Sequence, residues 1–185
     1  MISSQRHRVA ALLPAAIIGG AAGGMVLLLS PESAFRALVP YLILLAAALL
    51  ALQSPLKRWL ERRHATRTRP LLFATLPIAA ASFYGGYFGA GMSVIVLAVL
   101  AIVIDENLTK LNALKQLIGL CGNTAAAVYF VFSERVLWSV AGVMAIAALL
   151  GGVLGGRLAA WIAPQTLRSV IVGLAILLGI FYLFE

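Results

Sequence analysis

Four glycines within seven residues form the first segment of this sequence that could do chemistry. They are Gly85, Gly86, Gly89 and Gly91. Ser82 and Ser93 place a hydroxyl group on either side of them. Glycines that interrupt a helix in an apolar tract free backbone N–H groups, and the N-terminus of the following helix attracts anions. The cluster predicts an anion site at a helix break, with close helix packing as the alternative. If it is a site, Gly86→Ala and Gly89→Ala should weaken binding while melting stays near normal.

A second candidate set lies on one face of the apolar segment 108–132. Its members are Asn112, Gln116, Gly119 and Asn123, with Lys115 beside them. At about 100° per residue the first four fall within about 60° of one another. Such a stripe should face protein or water rather than lipid. Lys115 is either a cation in an anion pathway or a lysine whose ammonium reaches back to the membrane surface. Asn112 and Asn123 are too short to reach that surface, which favours a pathway role for them.

No other group of residues predicts catalysis or metal binding. His7 and His64 lie in polar segments, and Cys121 is the only cysteine, so no thiolate metal site can form. The chain has no intramembrane serine–histidine–acid set or carboxylate pair. We therefore expect no enzyme activity, no metal and no cofactor.

The composition predicts the elements that must position these residues. Of the 185 residues 63% are apolar and 11% charged, against about 45–50% and about 25% in soluble proteins. Such a chain cannot cover a water-facing surface, which excludes a soluble enzyme and a nucleic-acid-binding domain. We expect an all-α, polytopic membrane helix bundle in contact with the lipid bilayer.

The apolar segments predict about six transmembrane spans, one of them broken. The spans are 9–29, 34–52, 71–104, 108–132, 136–162 and 166–184. As one helix, the tract 71–104 would be about 51 Å long, against a hydrocarbon core of about 30 Å. The glycines should therefore break it. Whether the broken tract crosses the membrane or re-enters stays open.

The segment 53–70 carries most of the positive charge between spans. Its charged residues are Lys57, Arg58, Glu61, Arg62, Arg63, Arg67 and Arg69. A short basic loop between two apolar runs marks the cytoplasmic side of a membrane protein. We therefore predict a cytoplasmic loop, with no nucleic acid as partner.

The chain also contains an incomplete internal repeat at a shift of 132 residues. Four glycines register with four others, Gly19, Gly20, Gly23 and Gly24 with Gly151, Gly152, Gly155 and Gly156. Arg36 registers with Arg168 in the same alignment. This divides the chain into 1–52, the remnant of a first repeat with two spans, the basic loop 53–70, and 71–185, a second repeat with four spans. The first two helices of the first repeat have no counterpart here.

Three segments together resemble the sulfite exporter TauE/SafE family of anion permeases. They are 83–91, which contains the glycine cluster, 111–116 followed by Asn123, and 151–159 followed by Leu167 and Arg168. The resemblance implies two repeated halves, a bacterial inner (plasma) membrane location, and transport of sulfur-containing or small organic anions. The chain departs from the family in lacking the first glycine-rich helix and its partner, and in having Met92 and Ser93 after Gly91.

Two functions follow as hypotheses. The first is a permease for small anions such as sulfite, organosulfonates or small organic acids. Its predicted substrate-binding residues are Gly85, Gly86, Gly89, Gly91, Asn112, Lys115 and Asn123. The alternative is a truncated or non-transporting membrane subunit that packs with a partner, either a homo-oligomer or the missing N-terminal half.

Overall fold

Seven α-helices make up the described part of the computed structural model, which covers residues 2–62, 70, 72–104, 106–134, 136–159 and 161–184. They are α1 (Ile2–Leu29), α2 (Glu32–Arg62), α3 (Leu72–Tyr87), α4 (Met92–Val103), α5 (Leu108–Val131), α6 (Trp138–Ala159) and α7 (Pro164–Phe184). These residues contain no strand. The predicted all-α fold class is confirmed.

Four of the helices contain segments long and apolar enough to cross a membrane. The segments are Ala10–Leu29, Glu32–Trp59, Trp138–Arg157 and Gln165–Leu183. The tract predicted to be broken forms two shorter helices, α3 with 16 residues and α4 with 12. At 1.5 Å per residue they are about 24 and about 18 Å long, so neither spans a core of about 30 Å alone.

The second helix is longer than the sequence suggested, and the predicted start of the basic loop at Gln53 is wrong. α2 continues to Arg62 and contains Pro55 within it. Leucine, lysine, arginine and glutamate are good helix formers, so the helix can continue beyond the apolar run. Lys57 and Arg58 lie exposed on this extension. The side chains of Arg62, Arg63, Arg67 and Arg69 lie outside the described residues, as do those of His7 and His64.

Arg168 of α7 explains how α2 tolerates Pro55. Proline has no N–H, so it cannot donate to the carbonyl four residues earlier in the helix, which is that of Ala51. Arg168 donates from Nη2 to this carbonyl oxygen at 2.8 Å. The contact joins α7 to α2 at the point where the helix would otherwise carry an unpaired acceptor.

The core lies where α1 packs into the angle between α3 and α5. Leu12 and Ala16 of α1 are fully buried there, together with Ile78 of α3 and Ile118 of α5. The glycines of α1 allow the close approach. A methyl group added at Gly23 would overlap the carbonyl oxygen of Phe83 on α3.

Unlike α1, the helix α6 is hardly packed against the other described helices. Every described side chain from Trp138 to Arg157 is exposed except that of Ala141, which is half-buried. Its neighbour α7 packs along α2 instead. The molecule thus has a packed α1–α3–α5 cluster, a second pair formed by α2 and α7, and one helix with little cover from the described residues.

Candidate functional site

The glycine cluster breaks the helix, as the sequence predicts. The break runs from Phe88 to Gly91, between the end of α3 and the start of α4. Gly89 has φ of 89° and Gly91 has φ of 82°, a left-handed conformation that side chains other than glycine rarely adopt. The N–H of Phe88 donates to the carbonyl of Tyr84 at 2.9 Å and closes the last turn of α3.

The four glycines of the cluster have two different structural roles. Gly85 and Gly86 lie inside α3 and are buried. A methyl group at Gly85 would overlap the Sδ atom of Met92, and one at Gly86 would overlap the carbonyl oxygen of Gly20 on α1. For Gly86 this geometry favours helix packing, the alternative left open by the sequence. Gly89 and Gly91 form the break itself.

A cavity of about 470 Å³ lies between this break and α5. It is lined by Gly89, Gly91, Met92, Ser93, Val96, Lys115, Gln116, Gly119, Leu120 and Asn123. The structure therefore brings together two predicted sets of residues, the glycines of the break and the polar stripe of α5. Four predicted site residues share this cavity, namely Gly89, Gly91, Lys115 and Asn123.

Three predicted site residues do not line this cavity. Gly85 and Gly86 face Met92 and α1, as described above. Asn112 is half-buried on α5, about one turn before Lys115. Ser82, considered as a hydroxyl donor, is fully buried instead, and its Oγ has no hydrogen-bond partner among the described residues. Of the two serines, only Ser93 reaches the cavity.

The N-terminus of α4 gives the cavity a positive end. Gly91 is the N-cap residue and no side chain caps the helix there. In α5, by contrast, the side chain of Asn107 accepts a hydrogen bond from the backbone N–H of Lys110 at 3.0 Å. The first N–H groups of a helix carry a partial positive charge that favours anions. In α4 these N–H groups belong to the first turn of the helix, where Met92 and Ser93 line the cavity.

Lys115 adds a full positive charge to the same cavity. It is half-buried, and it has no hydrogen-bond or ion-pair partner among the residues that the structure describes. Lys110, five residues earlier on α5, is instead neutralised by Glu106, with 2.7 Å between Nζ and Oε2. The described lining contains no carboxylate. Both the helix end and the side chains therefore suit an anion.

A second cavity, of about 300 Å³, lies on the other side of the break and was not predicted from the sequence. It is lined by Ile43, Ala46, Ala47, Leu50, Gln53, Phe88, Ala90, Gly91, Ser93, Val94, Ile171 and Ala175. Every residue of α2 from Leu42 to Leu52 is apolar, so no face of this helix stands out in the sequence as the lining of a cavity. Gly91 and Ser93 border both cavities, so the start of α4 separates them.

Comparison with known proteins gives one family and one relative. The model of the family described as sulfite exporter TauE/SafE matches residues 3–182. A "Probable membrane transporter protein" of Haemophilus influenzae is 28% identical over 155 residues, which are 84% of this chain and 60% of that protein. The chain thus spans less than two thirds of the relative's length. No solved structure matches.

Proposed function

Because the chain belongs to the sulfite exporter TauE/SafE family, we propose that this multi-pass membrane protein carries small anions across the membrane. The observation that carries the proposal is the cavity in which Lys115 meets the uncapped N-terminus of α4. Two independent sources of positive charge converge there, with no carboxylate among the described lining residues. Such half-helix ends at a helix break are a common way for transporters to bind anions.

The proposed route passes the break from one cavity to the other. An anion entering beside α5 is held by the Lys115 ammonium, the amide of Asn123 and the backbone N–H groups at the start of α4. It then passes Ser93 into the cavity that contains Gln53. The support for this order is that Gly91 and Ser93 border both cavities. A hydroxyl at this boundary can donate to an anion that has left Lys115.

Sulfite, organosulfonates and small carboxylates are the proposed substrates. Each presents oxygen acceptors of the kind that ammonium and backbone N–H groups bind. The name of the family includes sulfite, and the larger cavity leaves room for such an ion with part of its water shell. The proposal gives the protein a bacterial inner-membrane location.

The test is flux of these anions into proteoliposomes that contain the purified chain. Lys115→Met keeps the side-chain length and removes the charge, so we expect at least a tenfold loss of sulfite uptake. Lys110→Met is the matched control, because Lys110 is already neutralised by Glu106. We expect this variant to transport sulfite near the wild-type rate. No sulfite, methanesulfonate or acetate flux through the unaltered, folded chain would refute anion transport by this chain alone. Normal flux through Lys115→Met would remove this residue from the pathway.

The proposed orientation places the segment 53–70 in the cytoplasm. The exposed residues Lys57 and Arg58 at the end of α2 support it through the positive-inside rule. Ala65 lies outside the described residues, and Ala65→Cys in a Cys121→Ala chain provides the test. We expect this cysteine to be protected from a membrane-impermeant maleimide added to intact cells. Ready labelling from outside would reverse the orientation.

A second candidate function is that of a membrane subunit that works only with a partner. The observation that favours it is the exposure of α6, whose described side chains are almost all uncovered. Reconstitution separates the two candidates, because a subunit of this kind would show no flux alone and would gain flux when its partner is added.

A further inference from the structure

The two cavities on either side of the break differ in the charge that they offer to an anion. In the first, of about 470 Å³, Lys115 is the charged residue of the described lining, and Gln116 and Asn123 add neutral amides. The second, of about 300 Å³, has no charged residue in its described lining, where Gln53 and Ser93 are the polar side chains. An ion that moves from the first cavity to the second therefore leaves a full positive charge behind.

A further positive charge lies beside the second cavity. Arg168 of α7 donates from Nη2 to the carbonyl oxygen of Ala51 at 2.8 Å, and this contact does not neutralise the arginine, because a carbonyl has no net charge. Leu50, next to Ala51 on α2, lines the cavity, as does Ile171, about one turn after Arg168 on α7. Lys57, further along α2, is exposed to solvent, which screens its charge. The described residues thus place one half-buried positive charge at each cavity.

The apolar lining of the second cavity penalises a second negative charge on the transported ion. The free energy needed to move an ion from water into apolar surroundings rises with the square of its charge, so a dianion costs about four times as much as a monoanion of the same size. One arginine at the edge can neutralise one negative charge. The amide of Gln53 and the hydroxyl of Ser93 donate hydrogen bonds but carry no net charge. A dianion would therefore enter this cavity with one charge uncompensated.

We propose that the second cavity acts as a charge filter, which lets monoanions pass and holds back dianions, with Gln53 as the residue that contacts the ion there. This inference rests on the anion route proposed above and names the class of substrate that the route accepts. Sulfonates, monocarboxylates and hydrogensulfite, the singly charged form of sulfite, fit the filter. Sulfate and the sulfite dianion do not.

Methanesulfonate and sulfate are the matched pair of ions that tests the filter. Both are tetrahedral at sulfur and similar in size, and they differ by one negative charge. Initial uptake of each ion is measured at equal concentration in proteoliposomes whose membrane potential is held at zero by potassium and valinomycin. We expect methanesulfonate to enter at least ten times faster than sulfate. Equal uptake of the two ions would overturn the charge filter and leave anion transport standing, whereas no uptake of either would refute transport by this chain alone and this inference with it.

A negative charge added at position 53 tests whether the second cavity is the filter. Gln53→Glu keeps the size of the side chain and replaces the neutral amide by a carboxylate, which either repels the anion or pairs with Arg168. In both cases the cavity loses its attraction for a monoanion. We expect at least a tenfold loss of methanesulfonate uptake. Unchanged uptake in the folded variant would place the route outside this cavity and overturn the proposal.

Thr166→Glu is the matched control, because it adds the same charge near the start of α7 at a residue that lines neither cavity. Thr166 is exposed, and at about 100° per residue it lies about 160° from Arg168 around the helix. This variant should take up methanesulfonate near the wild-type rate. An equal loss in both variants would attribute the effect to surface charge and overturn the assignment of Gln53. If Gln53→Glu does not fold, the comparison of the two ions in the unaltered chain still decides the proposal.

Discussion

The helices α1 and α6 carry the same glycine pattern, yet the face that bears it is buried in α1 and exposed in α6. In α1 the glycines contact the backbones of α3 and α5, whereas in α6 nothing lies within 4 Å of their added methyl groups. The comparison teaches that a small-residue stripe specifies a face suited to close packing. It does not specify whether that face is occupied.

The largest expected difference between the two helices is in stability. Gly23→Ala forces a methyl group into the carbonyl of Phe83. Because the methyl carbon is fixed directly to the α1 backbone and the oxygen belongs to the α3 backbone, the two helices must separate. We expect a loss of about 3 kcal/mol, the upper end for overpacking in a core. Gly155→Ala, at the equivalent position of α6, should change stability by less than about 0.5 kcal/mol, as for surface sites.

Thermal unfolding of both variants in the same detergent measures this difference. Gly24→Ala is an internal control, because its methyl group would lie 3.2 Å from Cβ of Ala126, a tight contact that a small shift can relieve. It should therefore fall between the other two. Equal melting of the Gly23 and Gly155 variants would show that the α1 interface is not as close as described.

The next comparison sets the packing glycine of the cluster against the glycine of the break. Gly86→Ala should lower stability through contact with Gly20, while the protein that remains folded binds sulfite as before. Gly89→Ala places alanine at φ of 89°, a strain of about 1–2 kcal/mol. Its methyl group also adjoins the cavity, so affinity should fall too. The sequence alone predicted lost affinity and near-normal melting at both positions.

Melting temperature and the half-saturating sulfite concentration for uptake, measured together, separate these patterns. Weakened sulfite binding in Gly86→Ala with unchanged melting would restore the interpretation of Gly86 as a site residue. Unchanged sulfite affinity in Gly89→Ala would instead show that the anion binds away from the break.

The elements of this fold could be predicted from sequence better than the roles of single residues. The lengths of apolar runs and the density of glycine indicate spans and a break, because the bilayer allows few alternatives. Packing against a backbone and adopting a left-handed conformation both select glycine, so Gly86 and Gly89 look alike in a sequence. The extension of α2 was missed because an exposed basic helix has the composition of a loop. Contacts across more than a hundred residues, such as that of Arg168 with Ala51, leave no local pattern.

The smallest expected effect on stability concerns Arg36 and Arg168, the two arginines that occupy equivalent positions in the two repeats. Arg36 pairs with Glu32 on its own helix at 2.8 Å, and both side chains are 78% exposed. Such surface pairs contribute about 0–1 kcal/mol, so Arg36→Gln should melt close to the unaltered chain. Arg168 instead satisfies the carbonyl that Pro55 leaves without a donor. Arg168→Met should cost about 1–2 kcal/mol by leaving that acceptor unpaired.

A double-mutant cycle with Pro55→Ala tests this cause directly. Alanine at position 55 supplies the missing backbone N–H to Ala51, so the loss caused by Arg168→Met should shrink in the Pro55→Ala background. The loss caused by Arg36→Gln should be the same in both backgrounds, since that pair does not involve Ala51. If Arg168→Met costs as much in the Pro55→Ala background as in the unaltered chain, the arginine stabilises the α2–α7 pair by contacts other than the hydrogen bond. Arg36 and Arg168 would then differ only in exposure. The role of Arg168 would not be explained by the carbonyl that Pro55 leaves without a donor in α2.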